Sequence, residues 1–290
     1  MRKTRIICDS GSDLTVEEAK ALSVERLPLY AIKNEEVFRD GVDLLPDDLY
    51  RDMRAGASYT TSQIPLEVFL EIFEKIAEEG DDCLYLGFSS ALSGTYGAGK
   101  VASDMVKEKH KDFRIRALDT MCASLGCGKV VSQAAMYAKE GMGLQDLCVE
   151  AQRLALAQDH LFSVDDVSYL ARGGRISKAS AILAGALDIR PILDVKDGAL
   201  NPIKKVRGVK KVAPAIVSYM QDRAKNPAGE EVWIGHADDM DKAESLKRLI
   251  AEAFGAERIL IKNLGAVIGA HVGPGTVAVF FTKTVATAAS

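Results

Sequence analysis

The sequence has no surplus of positive charge and no long apolar run. Its 290 residues carry a formal net charge of −4, which argues against the basic surface of a nucleic-acid-binding protein. No stretch approaches the roughly 20 apolar residues of a membrane span. The basic N-terminus meets Asp9 after a very short apolar stretch, which predicts that there is no signal peptide. Any contact with lipid is therefore expected to be made from solution, with transient contact at a membrane surface at most.

Disulfide and metal patterns are also missing. The cysteines are odd in number and no two are spaced C-x-x-C; they are Cys8, Cys83, Cys122, Cys127 and Cys148. Reduced thiols in the core favour a cytoplasmic protein. No histidine pair at helical spacing suggests a metal site, so no metal or cofactor is predicted on this chain.

The composition is that of a folded protein with more than one core. Hydrophobic residues make up 48% and charged residues 27% of the chain, which is ordinary for globular proteins. The length exceeds the usual size of a single core. We therefore expect an N-terminal α/β lobe over residues 1–160 and a C-terminal α/β lobe over residues 161–290.

Strands, polar loops and helices alternate in the first half of the chain. Apolar strands are predicted over 5–8, 27–32, 83–87 and 115–118. The spacing of Thr15 and Glu18 predicts a capping box at the start of a helix. This alternation favours a parallel sheet, in which ligands bind at the carboxyl ends of the strands.

The second half predicts a mixed sheet. Asp197 and Gly198 separate two apolar runs, which is a strong signal for a β-hairpin. Further strands are expected near 231–236, 258–263 and 276–282, and helices near 208–224 and 241–254. The apolar stretches 179–187 and 277–281 suit either core packing or the lining of an apolar tunnel.

Two hydroxyl-rich segments are candidate anion sites. Thr60, Thr61, Ser62 and Gln63 precede a predicted helix, so they suit either N-capping or an anion bound at a helix N-terminus. The segment 89–96 follows a strand and contains more hydroxyl residues, among them Ser93, than one cap requires. Its Gly94 permits close approach of the backbone to a ligand, and the absence of a P-loop lysine argues against a nucleotide site.

Other polar side chains have two interpretations each. His271 lies among glycines and a proline, which fix the backbone and allow close packing, and a carboxylate bound to it would favour the charged imidazole. Asp9 and Asp13 suit Mg²⁺ ligands or, more commonly, turn and cap residues. Cys122 is a conceivable nucleophile, although a buried thiol is the simpler interpretation.

A third candidate is the basic turn that begins at Leu170 and contains Arg172, Gly173, Gly174 and Arg175. Two arginines on a glycine turn can bind phosphate or carboxylate, although short basic clusters are usually solvated. Lys204, Lys205 and Arg207 follow the predicted hairpin and suit the same positive face.

Together these motifs resemble the DegV family of fatty-acid-binding proteins over essentially the whole chain. The segments that carry the resemblance are Asp9-Ser10-Gly11-Ser12-Asp13-Leu14, Thr61-Ser62-Gln63, Ser89-Ser90-Ala91-Leu92-Ser93-Gly94-Thr95-Tyr96, Leu170-Ala171-Arg172-Gly173-Gly174-Arg175-Ile176 and His271-Val272-Gly273-Pro274-Gly275. Each segment is weak alone, and the five in this order are specific.

The resemblance implies a two-lobed α/β fold with a parallel-sheet N-terminal lobe, a mixed-sheet C-terminal lobe and a long-chain fatty acid between them. It implies that Thr61, Ser93 and His271 hold the carboxylate, with help from Ser62 and Gly94. It also implies that a separate kinase subunit supplies ATP and Mg²⁺ and phosphorylates the acid to an acyl phosphate for phospholipid synthesis. Arg172 would face that subunit; we assign Arg175, Lys204 and Arg207 to the same docking face.

Two departures from the family pattern affect the expected pocket mouth. Gly11 stands where threonine is more usual, and Ile64 separates Gln63 from Pro65. Two alternatives remain open: a stand-alone phosphotransferase or hydrolase using Ser93 or Cys122 with His271, and a lipid carrier without a kinase partner.

Overall fold

The computed structural model describes residues 2–176 and 188–284 of the chain. The polypeptide forms two compact units. Of the described residues, one unit contains 2–44 together with 61–156, and the other contains 45–60 together with 157–176 and 188–284. The second unit thus takes in a segment of the N-terminal half that the sequence did not mark.

The first unit is built on a four-stranded parallel sheet. Its strand order is β2-β1-β6-β7, and each neighbouring pair runs parallel. The strands are β1 (Thr4–Asp9), β2 (Val24–Leu27), β6 (Asp82–Gly87) and β7 (Ile115–Asp119). Every residue of β6 is buried, because a central parallel strand is covered on both faces. The predicted parallel sheet is confirmed.

A small second sheet corrects the strand predicted over 27–32. Its order is β4-β3-β5, with β3 at Tyr30–Lys33, β4 at Glu36–Arg39 and β5 at Thr60–Ser62. The chain leaves β2 at Leu27 and begins β3 only after Pro28, because proline has no N–H for a sheet ladder.

The helices of the first unit cover its parallel sheet. Those in the described chain are α1 (Val16–Leu22), α3 (Leu66–Glu79), α4 (Thr95–Lys109), α5 (Leu125–Lys139) and α6 (Leu144–Ala157). The predicted capping box is present at α1, where Glu18 N donates to Thr15 Oγ1 at 3.2 Å and Thr15 N donates to Glu18 Oε2 at 2.9 Å. The apolar face of α3 packs on β6, with the Phe69 and Tyr85 rings 5.1 Å apart.

The second unit is built on a six-stranded mixed sheet, as predicted. Its order is β10-β9-β8-β13-β11-β12. The strands are β8 (Gln158–Ser163), β9 (Ile189–Lys196), β10 (Ala199–Arg207), β11 (Val232–His236), β12 (Ile259–Asn263) and β13 (Val277–Thr282). The pair β11–β12 is parallel, and the other described pairs are antiparallel.

The hairpin predicted at Asp197 and Gly198 joins β9 to β10. Both turn residues have positive φ, 50° and 78°, as a two-residue turn between twisted strands requires. Strand β10 pairs with β9 only and lies at one edge of the described sheet.

Helices and apolar side chains complete the second unit. The helices in the described chain are α2 (Pro46–Arg54), α7 (Ser168–Arg172), α8 (Val212–Arg223), α9 (Met240–Phe254) and α10 (Ala266–Val272). Val277, Val279 and Phe281 belong to a buried core cluster with residues of α8 and α9. The stretch 179–187, a candidate lining of an apolar tunnel, lies outside the described residues. No helix among the described residues is both long enough and apolar enough to cross a membrane.

Candidate ligand-binding site

Asp9 ends β1, and its buried carboxylate joins two loops of the first unit. Its Oδ1 accepts a hydrogen bond from Gly11 N at 3.1 Å, within the short 3-10 turn Ser10–Ser12. Its Oδ2 accepts from Phe88 N at 2.9 Å and from the Tyr85 hydroxyl at 3.1 Å. Burial raises the pKa of Asp9 to about 6, although these hydrogen bonds oppose the shift. The turn-and-cap interpretation of Asp9 is therefore the correct one.

Further bonds tie the ends of β6 and β7 together. Ser89 N donates to Cys122 O at 3.0 Å, and the Thr120 hydroxyl donates to Gly87 O at 2.8 Å. Parallel strands bring their carboxyl ends to one edge of a sheet, so the loops after β1, β6 and β7 lie together at that edge.

Ser93 lies in the loop 88–94, directly before α4. Ser93 N donates to Ser89 O at 3.1 Å, which closes the loop on itself. The Ser93 hydroxyl accepts from Thr95 N at 3.2 Å and lies 2.9 Å from the Thr95 hydroxyl. Part of the predicted capping role is therefore real, because Ser93 Oγ receives one N–H of the first helical turn.

Thr61 and Ser62 lie in β5, so the N-capping interpretation of these residues is wrong. Helix α3 begins after Pro65, its N-cap residue, too far along the chain for their hydroxyls to cap it. Thr61 is half-buried and Ser62 is exposed. The next residue, Gln63, reaches the loop of Ser93, because a Cβ added at Gly94 would lie 2.1 Å from Gln63 Oε1. The two hydroxyl-rich segments are thus neighbours in the first unit.

The departure at Gly11 has a structural cause. A Cβ added there would lie 2.7 Å from Cδ2 of Phe88 and 2.9 Å from Asp9 Oδ1. The Phe88 ring occupies the space that a larger side chain at position 11 would fill. The departure at Ile64 places a fully buried side chain directly after Gln63.

His271 lies in the last turn of α10, and the structure brings the basic glycine turn against it. A Cβ added at Gly173 would lie 2.2 Å from Nδ1 of His271. Burial, with a smaller contribution from the nearby charge of Arg175, lowers the pKa of His271 to about 4. The imidazole of the ligand-free chain is therefore neutral at pH 7; the positive character expected from the sequence applies when a carboxylate is bound to it.

The glycines after His271 are packed as the sequence predicted. A Cβ added at Gly273 would lie 2.4 Å from the Tyr169 ring, and one added at Gly275 would lie 2.3 Å from Asp165. Lys242 holds this loop, because its Nζ donates to Asp165 Oδ2 at 2.7 Å and to Gly275 O at 2.8 Å.

The four residues predicted to meet a partner lie in two parts of the second unit. Arg172 is exposed and its guanidinium lies 4.6 Å from the Tyr169 ring centroid. Arg175 is half-buried, donates to Gly173 O and lies near His271. Lys204 and Arg207 are exposed on β10.

Sequence reasoning missed several residues that support these loops. Tyr85, Asp165 and Lys242 carry no motif, and only their contacts reveal them. Gln63 belongs to a predicted segment, but its contact with Gly94 was not predicted. The polar position of Asp9 after an apolar strand was the one available signal.

The cysteines are poorly placed for nucleophilic chemistry. All five lie within the described chain, and none of them forms a disulfide bond. Cys122 is 2% exposed, and its Sγ lies 3.5 Å from Ala155 O. Among the described residues, no group of His, Cys, Asp or Glu has the arrangement of a metal site.

Comparison with known proteins gives a consistent match. The model of the DegV family, described as uncharacterised proteins of COG1307, matches residues 3–284. A DegV domain-containing protein of Clostridium perfringens is 37% identical over 286 residues, covering 97% of this chain and 98% of that protein.

Two solved structures have the same fold over their full length. A fatty-acid-binding DegV family protein of Thermus thermophilus is 31% identical, has a TM-score of 0.86 and covers 98% of this chain and 100% of its own. A Thermotoga maritima protein described as revealing a fatty acid binding function is 28% identical, with a TM-score of 0.82 and coverage of 98% and 100%.

Proposed function

The chain belongs to the DegV family, and from that premise we propose that it binds a long-chain fatty acid and presents the carboxylate for phosphorylation. The fatty acid binding of the Thermus thermophilus and Thermotoga maritima relatives supports the first part of the proposal. The free thiols are in keeping with a reducing compartment such as the cytoplasm.

The observation that carries the proposal is the set of neutral donors. Gln63 packs on Gly94, which brings the Thr61–Gln63 segment to the loop of Ser93. His271 is neutral at pH 7 because burial lowers its pKa. Hydroxyls and a neutral imidazole N–H donate hydrogen bonds to a carboxylate. We assign the carboxylate to Thr61, Ser93 and His271, with Ser62 and the Gly94 backbone as neighbours.

The two ends of a fatty acid would contribute differently to binding. An acyl chain of about fifteen methylenes, at roughly 0.8 kcal/mol each, offers on the order of 12 kcal/mol of transfer free energy. Hydrogen bonds to a charged carboxylate add only about 1.5–3 kcal/mol each, and ordering costs reduce the total. The tail therefore sets the affinity, while the three donors set the orientation of the head group.

The proposed reaction divides the work between two proteins. A carboxylate oxygen attacks the γ-phosphorus of ATP held with Mg²⁺ by a kinase subunit; an O–P bond forms, the bond to the β-phosphate oxygen breaks and ADP leaves. Phosphoryl transfer depends mainly on positioning and electrostatics. This chain holds the nucleophile, and the exposed Arg172, Lys204 and Arg207, with Arg175 beside them in our assignment, meet the partner.

Lipid extraction of the purified protein tests the first part. We expect a long-chain fatty acid in the extract, and uptake of added palmitate or oleate by the delipidated protein. Recovery of lipid-free protein that takes up neither acid would overturn the proposal.

Variants test the second part. Ser93→Ala and His271→Ala should reduce acyl phosphate formation with the kinase subunit more than they reduce fatty acid affinity, because they misplace the head group and leave the tail in place. Ser103→Ala is the control, since its hydroxyl bonds only Lys100 O within α4. Equal losses of affinity and of phosphorylation would contradict the division between tail and head group.

A further inference from the structure

Asp9 is a buried carboxylate that hydrogen-bonds the loop carrying Ser93. Its Oδ2 receives Phe88 N, the first N–H of the loop 88–94 that carries Ser93. Its Oδ1 receives Gly11 N from the loop after β1. We propose that Asp9 is a positioning residue: its ionised carboxylate fixes the loop of Ser93, and loss of that charge loosens the loop and speeds release of the fatty acid. This inference rests on the proposed function for its last step only.

The hydrogen-bond inventory explains why the charge matters. An ionised carboxylate is an acceptor at both oxygens, whereas a protonated carboxyl or an amide presents a donor at one of them. Both oxygens of Asp9 face a backbone N–H that cannot reverse its direction. An amide at this position therefore loses the contact to Phe88 or the contact to Gly11, and a protonated carboxyl accepts more weakly at the oxygen that carries the proton.

Among the titratable groups packed around Asp9, Asp9 is the one whose charge changes near neutral pH. Cys8, Tyr85 and Cys127 all have pKa values raised above their usual range by burial, so each stays neutral. Arg26 supplies a nearby positive charge. Burial raises the pKa of Asp9 itself to about 6, so its charge is lost as the pH falls through that value.

Burial of the charged carboxylate is costly to folding, which separates a positioning role from a structural one. A carboxyl whose pKa is raised in the folded state stabilises the fold most when it is protonated, below its usual pKa of 3.8, and that contribution is lost as the pH rises through about 6. At neutral pH the charged Asp9 is therefore maintained against the stability of the chain. Asp9→Asn should fold at pH 7.5 with little loss of stability while the loop becomes looser.

Hydrogen exchange of the ligand-free protein tests the loop directly. In the wild type, exchange of peptides spanning 88–94, corrected for the intrinsic effect of pH, should accelerate between pH 7.5 and pH 5. In Asp9→Asn it should be fast at both values. Asp82→Asn is the matched control, because Asp82 is equally buried at the opposite end of β6 and bonds Arg114; it should lower stability without changing loop exchange.

A second variant keeps the test decisive if Asp9→Asn folds poorly. Tyr85→Phe removes one hydrogen bond that lowers the pKa of Asp9, so it should shift the midpoint of the exchange transition to higher pH. Exchange that is unchanged in Asp9→Asn, or a midpoint unmoved in Tyr85→Phe, overturns the inference.

Release of a fluorescent fatty acid gives the functional readout. At pH 7.5 release from Asp9→Asn should be about tenfold faster than from the wild type, as expected for the loss of one charge-assisted hydrogen bond. Acid also protonates the fatty acid itself, which speeds its release from both proteins. The informative quantity is therefore the difference in release rate between Asp9→Asn and the wild type at each pH. If Asp9→Asn and the wild type release the fatty acid at the same rate although their loop exchange differs, the loop does not control release. If the wild type binds no fatty acid, the proposed function is wrong, and the exchange experiment still decides whether Asp9 positions the loop.

Discussion

The charge of His271 is set by its burial and by the nearby Arg175, which both lower its pKa. Burial is the larger cause and the positive charge of Arg175 is the smaller one, and together they lower the pKa of the imidazole to about 4. A neutral imidazole offers one N–H donor and one acceptor. Before a carboxylate binds, the head-group donors assigned here are thus neutral.

Replacing His271 should change how stability depends on pH. Because its pKa is lower in the folded chain than the usual 6.5, the neutral imidazole stabilises the fold fully above pH 6.5, and this contribution is lost as the pH falls through about 4. Urea unfolding from pH 7.5 to 4.5 should show a smaller acid-induced loss for His271→Gln than for the wild type, by on the order of 1–3 kcal/mol.

Asp9 shifts stability in the opposite direction between pH 4 and 6, so the informative quantity is the difference between variant and wild type at each pH. A difference that stays constant from pH 7.5 to 4.5 would show that His271 does not titrate as its surroundings predict.

The loop after β1 and the loop after β6 pack against each other in the first unit. The Phe88 ring lies where a side chain at position 11 would project, 2.7 Å from an added Cβ. The loop after β1 and the loop after β6 therefore constrain each other's sequence. The less usual glycine at position 11 follows from this packing.

Gly11→Thr should displace Phe88 and the loop of Ser93. Overpacking of this kind costs about 1–3 kcal/mol, which denaturant unfolding measures, and fatty acid release should become faster. Gly97→Ala is the matched control, since a Cβ at Gly97 in α4 would meet nothing within 4 Å; it should be neutral or stabilising by roughly 0.5–1 kcal/mol. Equal stability of Gly11→Thr and the wild type would mean that the two loops are not coupled.

Elements with local signals were predictable from the sequence. The capping box at Thr15, the hairpin turn at Asp197 and the alternation behind the parallel sheet depend on neighbouring residues. Strand β5 was missed because Thr60–Ser62 is short and polar, and the break at Pro28 was overlooked inside an apolar run.

The candidate site was predictable only in part, for a related reason. Motif residues such as Ser93 and His271 stand out in the sequence. Asp9, Gln63 and Lys242 act on backbone or side chains distant in sequence, so their partners depend on the packed structure.

At the scale of the whole molecule, charge is unevenly distributed. The chain is acidic overall, with a formal net charge of −4, yet the segment 204–211 contains five Lys or Arg residues and no acid. It includes part of the edge strand β10, where lysines also discourage edge-to-edge pairing. This surface suits an acidic partner.

Arg172→Ala should separate fatty acid binding from kinase docking. The side chain is exposed, so fatty acid affinity should change by less than about twofold, in line with surface substitutions. Acyl phosphate formation with the kinase subunit should fall at least about tenfold if Arg172 contacts the partner or its phosphate. Lys139→Ala, an exposed cation of the first unit, is the control. Full activity of Arg172→Ala would mean that Arg172 does not dock the kinase subunit.

The inclusion of residues 45–60 in the second unit has a consequence for synthesis of the chain on the ribosome. Helix α2 leaves the exit tunnel early, but its Tyr50 hydroxyl bonds Leu264 O, 214 residues later, and Leu49 and Tyr50 pack on Gly269. Until the residues around Leu264 and Gly269 have been synthesised, the apolar face of α2 remains exposed to solvent. Such long-range closure slows folding and exposes nascent chains to aggregation, so we expect chaperones to bind this helix during synthesis.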